Sequence, residues 1–509
     1  MSTPPAPAPP LMGRFVPASS PLKLSVVKVI PPALVVLVGF VAMTVYAVAQ
    51  WRALAAPSWD LAIFTELAKA YANFEAPIVP IKGEGYNLLG DHFHPILVLL
   101  AIPYWIYPSG LSLLITQALL LALSAWPITR LAVHLTGRWA GTALGLAYVL
   151  SWGFQGAVEA QFHEIAFAVP LLAYSAVAFV QRRWVACLAW AAPLVLVKED
   201  MGLVVLMVGL AIALRGRYPG GNHAPDPKAV RLGLLTAVCG ALAFLVTVLV
   251  LLPAMNPDGV WAYGLNNDDP TRAERLGILG RFLQPADKKL ATLAVLVVAA
   301  GVIGLASPWM LLVLPTIAWR FLGSVEFYWD WQRWHYNAVL VPVAFGALLD
   351  VLTRLREGSR PEAVVPTWNW RALSLARPWL RGLVVTAVLL PLVGAAWTAR
   401  DLPFWGAAQG RLQASPERVS AAQQVLAAVP EGATVSSDLT LLARLVPQAT
   451  VYWVGTAPGD TDYVLVDTRG AGWSARPDAK AFAERASKTG ATYTKVLNVE
   501  GFELAKRNG

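Results

Sequence analysis

Long apolar runs recur along almost the whole chain, and they constrain its fold more than any other feature. A helix that crosses a bilayer needs about 20 mostly apolar residues, and shorter spans occur where neighbouring helices shelter them. With that template the sequence predicts about eleven transmembrane helices. They cover residues 29–49, 111–133, 139–154, 165–180, 184–197, 201–214, 229–252, 290–306, 308–322, 336–353 and 382–398.

The composition supports a membrane protein and argues against other classes. Hydrophobic residues make up 57% of the chain and charged residues only 14%, whereas soluble domains carry about 25% charged residues. The 21 Trp fit as well, because indole rings favour the membrane–water boundary. The net charge of +9 predicts no nucleic-acid partner, since an excess of Lys and Arg marks the cytoplasmic loops of membrane proteins. Cys187 and Cys239 lie inside apolar runs and are expected to be small buried residues.

The charges of the loops predict how the chain crosses the membrane. Lys and Arg gather before the first span, after the second, fourth and sixth spans, and before the eleventh. Those loops alternate along the chain and fall on one side, which the positive-inside rule makes cytoplasmic. Acidic residues gather on the other side. The sequence therefore predicts a multi-pass inner-membrane protein, with a cytoplasmic N-terminus and an extracytoplasmic C-terminus.

The expected fold is an all-α polytopic membrane protein with a small α/β extracytoplasmic domain at its C-terminus. Residues 1–28 are expected to form a Pro-rich, disordered cytoplasmic tail, residues 29–399 the transmembrane domain, and residues 400–509 the outer domain. In the outer domain we expect short strands at 433–436, 450–454 and 463–466, a helical stretch at 439–445, and a hairpin of 493–498 with 502–505.

The first outer loop, residues 50–110, is long enough to have structure of its own. Apolar residues recur at helical spacing after Asp60, and a short apolar stretch at 95–107 is bracketed by prolines. Both are expected to be helices that lie along the membrane surface. Spans five and six are expected to be separate, because one bent helix would place the charges of residues 198–200 at the bilayer midplane, at about 3 kcal/mol each.

The polar residues that a membrane fold does not explain gather at the outer ends of the predicted helices. Each also has a structural explanation: a helix cap, an interfacial polar pair, a self-neutralising turn, or part of an aromatic belt. These explanations do not account for the residues as a group, because four of the six histidines lie on one predicted face of the membrane. Ionisable residues at membrane depth are candidates for a functional site. The candidates are Trp59, Asp60, Asp91, His92, His94, His163, Glu164, Lys198, Glu199, Asp200, Arg333, His335 and Tyr336.

Metal and cofactor chemistry receives little support from the sequence. His92 and His94 are two residues apart, a spacing that suits metal ligands on an extended segment, but a pair alone is a weak signal. A divalent cation stays open, and no resident cofactor is expected. The sequence contains no Walker A loop, no dinucleotide fingerprint, no HExxH and no GxSxG. ATP-driven chemistry in the cytoplasmic loops is therefore not expected.

Several of these segments together resemble a known family. The run DHFHPIL at 91–97 and the PYWIYPSG segment after it, Phe162-His163, Lys198-Glu199-Asp200 and His335-Tyr336 are similar to the bacterial membrane proteins called domain of unknown function 2079. His94 departs from the pattern, because the family more often has a small residue there. That family is in turn similar in layout to the GT-C glycosyltransferases, with only Asp60 in register with their acidic residue in a long first outer loop.

The second resemblance implies a glycosyltransferase that takes a sugar from a polyprenyl-phosphate donor and passes it to an envelope glycan, lipid or protein. Asp60 is then the first candidate for the general base and Glu164 the second. Donor-phosphate binding would fall to Lys198, Arg333 and His335, because the leaving group needs its charge neutralised. Two other functions stay open: a transporter or flippase of a lipid-linked or polar solute, and a non-catalytic scaffold.

Overall fold

The computed structural model describes residues 26–57, 59–219, 223–261, 263, 270–323, 325–358, 378–457, 459–470, 473 and 476–509. Most of the predicted N-terminal tail, residues 1–25, lies outside the described residues. The same holds for residues 359–377, which belong to the last basic loop. The described chain is mostly helical, with one small sheet near its C-terminus.

Twenty α-helices are found in the described chain, numbered here in chain order. They are α1 (Val26–Arg52), α2 (Trp59–Ala72), α3 (Ala101–Ile106), α4 (Gly110–Thr136), α5 (Arg138–Val149), α6 (Trp152–Glu159), α7 (Ala168–Val180), α8 (Trp184–Ala191), α9 (Met201–Arg217), α10 (Pro227–Val246), α11 (Leu252–Met255), α12 (Pro270–Leu283), α13 (Ala286–Ala299), α14 (Val313–Leu322), α15 (Leu340–Gly358), α16 (Pro378–Thr398), α17 (Pro403–Ala408), α18 (Pro416–Ala427), α19 (Leu442–Leu445) and α20 (Ala479–Ala486).

Five stretches of the described chain are long and apolar enough to cross a bilayer. They are Val29–Arg52, Gly110–Thr136, Pro227–Met255, His335–Glu357 and Trp379–Asp401, and each coincides with a predicted span. The other six predicted spans fall on shorter or broken helices. The chain leaves the helix between α5 and α6, and again at Gly301 and Val302, both of which have positive φ. The chain is thus a multi-pass membrane protein whose bundle contains several interrupted helices.

The segment between α1 and α4 carries the two helices that the sequence predicts there. One is α2; the other consists of the 3-10 turn Pro95–Leu100 and α3. The position of α2 differs from the expectation of a helix lying along a free surface. Ten of its fourteen residues are buried, because α2 packs against α4 on one side and against α19 of the C-terminal domain on the other.

The C-terminal domain contains a five-stranded sheet in the order β2-β1-β3-β5-β4. The strands are β1 (Thr434–Ser437), β2 (Thr450–Trp453), β3 (Tyr463–Asp467), β4 (Tyr493–Val499) and β5 (Phe502–Arg507). β1 is parallel to β2 and β3, while β4 and β5 form an antiparallel hairpin. This confirms the predicted α/β domain. Successive side chains along β3 point to opposite faces of the sheet. Val464 and Val466 belong to the small core with α20, and Leu465 belongs to the main core.

Direct contacts hold this domain on the helices below it. Lys69 Nζ on α2 donates to the carbonyl oxygens of Val446 (2.7 Å) and Ala449 (3.0 Å). The Trp59 ring meets the Trp453 ring edge-on at 4.9 Å between centroids.

Candidate functional site

Asp60 lies in the first turn of α2, where a carboxylate is stabilised by the helix dipole. Its Oδ2 lies 3.5 Å from His163 Nε2, and 43% of the side chain is exposed. Partial desolvation would raise the pKa of Asp60, but the hydrogen bond and charge of His163 outweigh it and hold that pKa below its ordinary value. Asp60 is thus an accessible carboxylate that stays ionised at neutral pH.

Gln117 on α4 fixes the turn that presents His163. Its Nε2 donates to the carbonyl oxygens of Ala157 and Gln161, both at 2.9 Å, and its Oε1 accepts from the His163 backbone N–H at 3.0 Å. His163 Nδ1 lies 3.3 Å from the Gln161 carbonyl oxygen. His163 Nε2, on the other edge of the ring, faces Asp60.

His335 lies flat against His163, with ring centroids 3.7 Å apart and planes 23° from parallel. It is buried, and its Nδ1 has no hydrogen-bond partner among the described residues. The ring lines a small cavity whose polar wall also includes Glu164, Lys198, Asp200 and Tyr336. The rest of the lining is Ile165, Met201, Thr316, Trp319 and Val339, and the cavity volume is only about 20 Å³. A buried polar atom without a partner, facing a cavity, is a natural ligand contact.

Lys198 and Glu164 form a buried ion pair beside this cavity, with Nζ 2.7 Å from Oε1. Burial would lower the pKa of Lys198, but the charges of Glu164 and of its own neighbours Glu199 and Asp200 raise it well above its ordinary value. Burial also raises the pKa of Asp200 to about 6, and Oδ1 of Asp200 has no partner within the described chain. Glu164 is only 3% exposed, so it is far less accessible than Asp60.

A second group of polar side chains continues from this ion pair. His92 Nδ1 lies 2.8 Å from Glu199 Oε1, and the His92 ring stacks on Tyr263 at 4.1 Å. Tyr263 in turn donates from its hydroxyl to Asp91 at 3.1 Å, and Lys82 Nζ lies 3.1 Å from the same carboxylate. Burial would lower the pKa of His92, but Glu199 outweighs burial and raises it. The two groups together form one network of alternating charges.

His94 does not join His92. It is buried against the edge of Phe64 with ring centroids 5.9 Å apart, and burial lowers its pKa to about 4. Among the described residues no group of three or more His, Cys, Asp or Glu could hold a metal ion. The spacing of His92 and His94 therefore does not translate into a common ligand set in this part of the chain.

Two of the predicted site residues lie apart from the network. Trp59 turns its ring toward Trp453 of the C-terminal domain. Arg333 lines a different cavity, together with Tyr46 and Glu159. Tyr336, in contrast, is close to the network, with its ring 4.1 Å from that of His335.

The sequence did not reveal Gln117 and Tyr263 as members of the site. Gln117 had a usable signal, because an amide in the middle of an apolar helix needs a partner. Tyr263 had none, since a single aromatic residue in a polar loop is ordinary. Its role depends entirely on the approach of its loop to residues 91 and 92.

Fold and site together define a multi-pass membrane protein that carries a small α/β domain and a network of ionisable residues near the start of α2. The chain belongs to the family described as predicted membrane protein (DUF2079), whose profile matches residues 51–504. The family resemblance drawn from residues 91–97 and the other segments is thereby confirmed. No curated protein matches the chain.

Solved structures similar to the chain include two proteins that bind lipid phosphates. One is ArnT from Cupriavidus metallidurans bound to undecaprenyl phosphate, at 13% identity and a TM-score of 0.49, covering 93% of this chain and 97% of that one. The other is the archaeal oligosaccharyltransferase AglB from Archaeoglobus fulgidus in complex with an inhibitory peptide and a dolichol-phosphate, at 13% identity and a TM-score of 0.35, covering 86% and 69%. At these values the likeness does not say what this chain binds.

Proposed function

We propose that the protein is a membrane glycosyltransferase that moves a sugar from a polyprenyl-phosphate-linked donor to an envelope acceptor on the outer face of the inner membrane. The observation that carries the proposal is the arrangement of Asp60, His163 and His335. Asp60 is an accessible carboxylate in contact with His163, and the His163 ring stacks on His335, whose buried Nδ1 has no partner within the described chain. The carboxylate and the nitrogen are thus joined through one stacked pair of rings, and each can serve one of the two substrates.

The groups around the cavity beside His335 suit the phosphate end of a lipid-linked donor, and the cavity, about 20 Å³ in this structure, would have to widen to admit it. When the bond between sugar and phosphate breaks, negative charge develops on the phosphate and must be stabilised. Lys198 can donate two further N–H bonds beyond the one that Glu164 accepts, and His335 Nδ1 is unused. Ile165, Met201 and Val339, which line the same cavity, would then contact the first part of the prenyl chain. These residues thus offer hydrogen-bond donors for the phosphate and apolar contacts for the prenyl chain.

Asp60 suits the acceptor. An acceptor hydroxyl becomes nucleophilic when a carboxylate takes its proton as the new bond forms. Asp60 is ionised and 43% exposed, whereas Glu164 is bound to Lys198 and nearly inaccessible. We therefore assign the base to Asp60 and give Glu164 the task of orienting Lys198. The charge distribution of the loops supports the outer side of the membrane for this chemistry.

The test is a transfer assay with purified protein in lipid nanodiscs, a panel of radiolabelled polyprenyl-phosphate sugars and membrane-extract acceptors. Wild type should transfer label, and Asp60→Asn and Lys198→Ala should each lose at least about 100-fold, the usual scale for a general base or a charge-stabilising donor. Glu84→Gln, an exposed carboxylate of the same loop, is the matched control and should retain activity.

A transport result would overturn the proposal. No transfer with any donor, together with labelled lipid or solute crossing the membrane of proteoliposomes, would establish a transporter. An EDTA arm decides the open question of a divalent cation, because loss of transfer that Mg²⁺ or Mn²⁺ restores would demonstrate a metal requirement.

A further inference from the structure

Two neighbouring cavities open at the joint between the transmembrane bundle and the C-terminal domain, away from the network around Asp60. The first has a volume of about 440 Å³ and is lined by Arg333, Arg400 and Arg411. The second, of about 1150 Å³, runs between the end of α1 and α18, and its lining includes Arg52 and Arg444. Leu412 lines both cavities, so they are adjacent; together they are called the arginine groove below.

The five guanidinium groups of the arginine groove lack the counter-charges that arginines usually find. Within the described chain none of the five forms an ion pair, while Arg418, only a few residues along, binds Asp467 at 2.5 Å. Arg411 donates only to the Gln409 amide oxygen at 2.9 Å. Two carboxylates, Glu159 and Asp401, line the first cavity, so the groove as a whole keeps an excess of positive charge.

Arg444 is half-buried and has no carboxylate partner among the described residues. Its guanidinium lies 4.0 Å from the centre of the Trp51 ring and donates to the Trp51 carbonyl oxygen. Burial in this half-enclosed place lowers the pKa of Arg444 to about 10. Removing a guanidinium from water without a carboxylate is costly, and an anionic ligand would offset that cost.

The second cavity also has apolar residues in its lining. Val45 on α1 is 62% exposed, and Val48, Leu54, Val419 and Leu426 also line the cavity. From Thr44 to Arg52 the helix rises about 12 Å at 1.5 Å per residue. Because α1 is one of the helices long enough to cross a bilayer, this part of the groove follows the last turns of a candidate span. Positive charge beside an apolar lining fits an amphiphile better than a soluble anion.

We propose that the arginine groove binds an anionic phospholipid, with its phosphate among the arginines and an acyl chain along α1 and α18. The site lies where α16 ends and the C-terminal domain begins, so the lipid would join both parts from the membrane. The ligand contacts none of Asp60, Lys198 or His335. The proposal therefore stands or falls independently of glycosyl transfer.

The test is native mass spectrometry of the purified full-length protein with dioleoyl phosphatidylglycerol, and with dioleoyl phosphatidylcholine at the same concentrations. Wild type should retain one phosphatidylglycerol and show no comparable binding of phosphatidylcholine. Arg400→Gln/Arg411→Gln should weaken phosphatidylglycerol binding about tenfold or more, because charged hydrogen bonds are lost. Arg476→Gln/Arg485→Gln removes two exposed charges from the far side of the same domain and should leave binding unchanged.

Two further measurements test the acyl-chain seat and the preference for an anionic phospholipid separately. Ser420→Trp places a bulky ring in the apolar half of the groove and should also weaken phosphatidylglycerol binding. Unchanged binding in this variant would overturn the acyl-chain seat. Equal retention of the two lipids, or complete displacement of phosphatidylglycerol by millimolar inorganic phosphate, would overturn the assignment of an anionic phospholipid.

Discussion

The docking of the C-terminal domain on α2 should depend on pH through a single carboxyl group. Glu66 is 6% exposed between α2 and the domain, and its Oε2 accepts a hydrogen bond from the Ile81 backbone N–H at 3.1 Å. Burial raises the pKa of Glu66 to about 8, although that hydrogen bond and the charge of Lys69 act against the rise. The buried carboxyl is therefore protonated at neutral pH.

The direction of the effect follows from proton linkage. Below pH 4.5 the Glu66 carboxyl is protonated in both the docked and the exposed state, so its contribution to the free energy of docking has its full value. Between pH 4.5 and about 8 only the docked state keeps the proton, and docking weakens steadily as the pH rises. At about 1.4 kcal/mol for each pH unit between the two pKa values, the loss reaches at most about 5 kcal/mol.

The perturbation is Glu66→Gln, which keeps the shape of the side chain and removes its charge. Thermal unfolding followed by Trp fluorescence in detergent should show nearly equal stability of wild type and variant at pH 5. At pH 8.5 the variant should be more stable by several kcal/mol, up to about 5. Glu75→Gln, exposed in the same loop, serves as the control and should not change the pH profile. A Glu66→Gln difference that is the same at both pH values would refute the reasoning.

Three further substitutions test the packing and the site. Asp350→Ala should destabilise the protein by about 3–5 kcal/mol in thermal unfolding, because it leaves Arg215 buried without its partner; Asp350→Glu should recover part of the loss. Lys198→Met should destabilise the protein by a similar amount, because it leaves Glu164 unpaired. The double variant Lys198→Met/Glu164→Gln should regain stability but not sugar transfer. Recovered transfer in the double variant would contradict the role of Lys198. Gln117→Leu removes three hydrogen bonds from the turn before helix α7 and should lower the transfer rate at least about tenfold with donor affinity unchanged, as measured by single-turnover kinetics.

The sequence predicts well those features that repeat locally. Long apolar runs predict the five long helices, and short β-branched stretches between turn residues predict the strands β1 to β5. The loop charges bring residues 60, 163, 198 and 335 to one face of the membrane, and the structure brings those four together into one network.

What the sequence cannot supply is the pairing of residues far apart in the chain. Residues 198–200 resemble a turn that neutralises itself, yet Lys198 binds Glu164, 34 residues earlier. Lys69 finds its partners 377 and 380 residues away in the C-terminal domain, so nothing local indicates that α2 is covered on both sides. Arg333 was expected with Lys198 and His335, but it lies in another cavity because the turn before α15 directs it toward Glu159. Such outcomes depend on tertiary packing, which overrides local pattern.

The central claim is that the cavity beside His335 holds the phosphate of a lipid-linked donor, and a structure with that ligand tests it most directly. The measurement is electron cryomicroscopy of the protein in nanodiscs with a polyprenyl phosphate. The account predicts phosphate density within hydrogen-bond distance of Lys198 Nζ and His335 Nδ1, with the prenyl chain along Ile165, Met201 and Val339. Phosphate density among the arginines at Arg333 instead, with the His335 cavity empty, would contradict it.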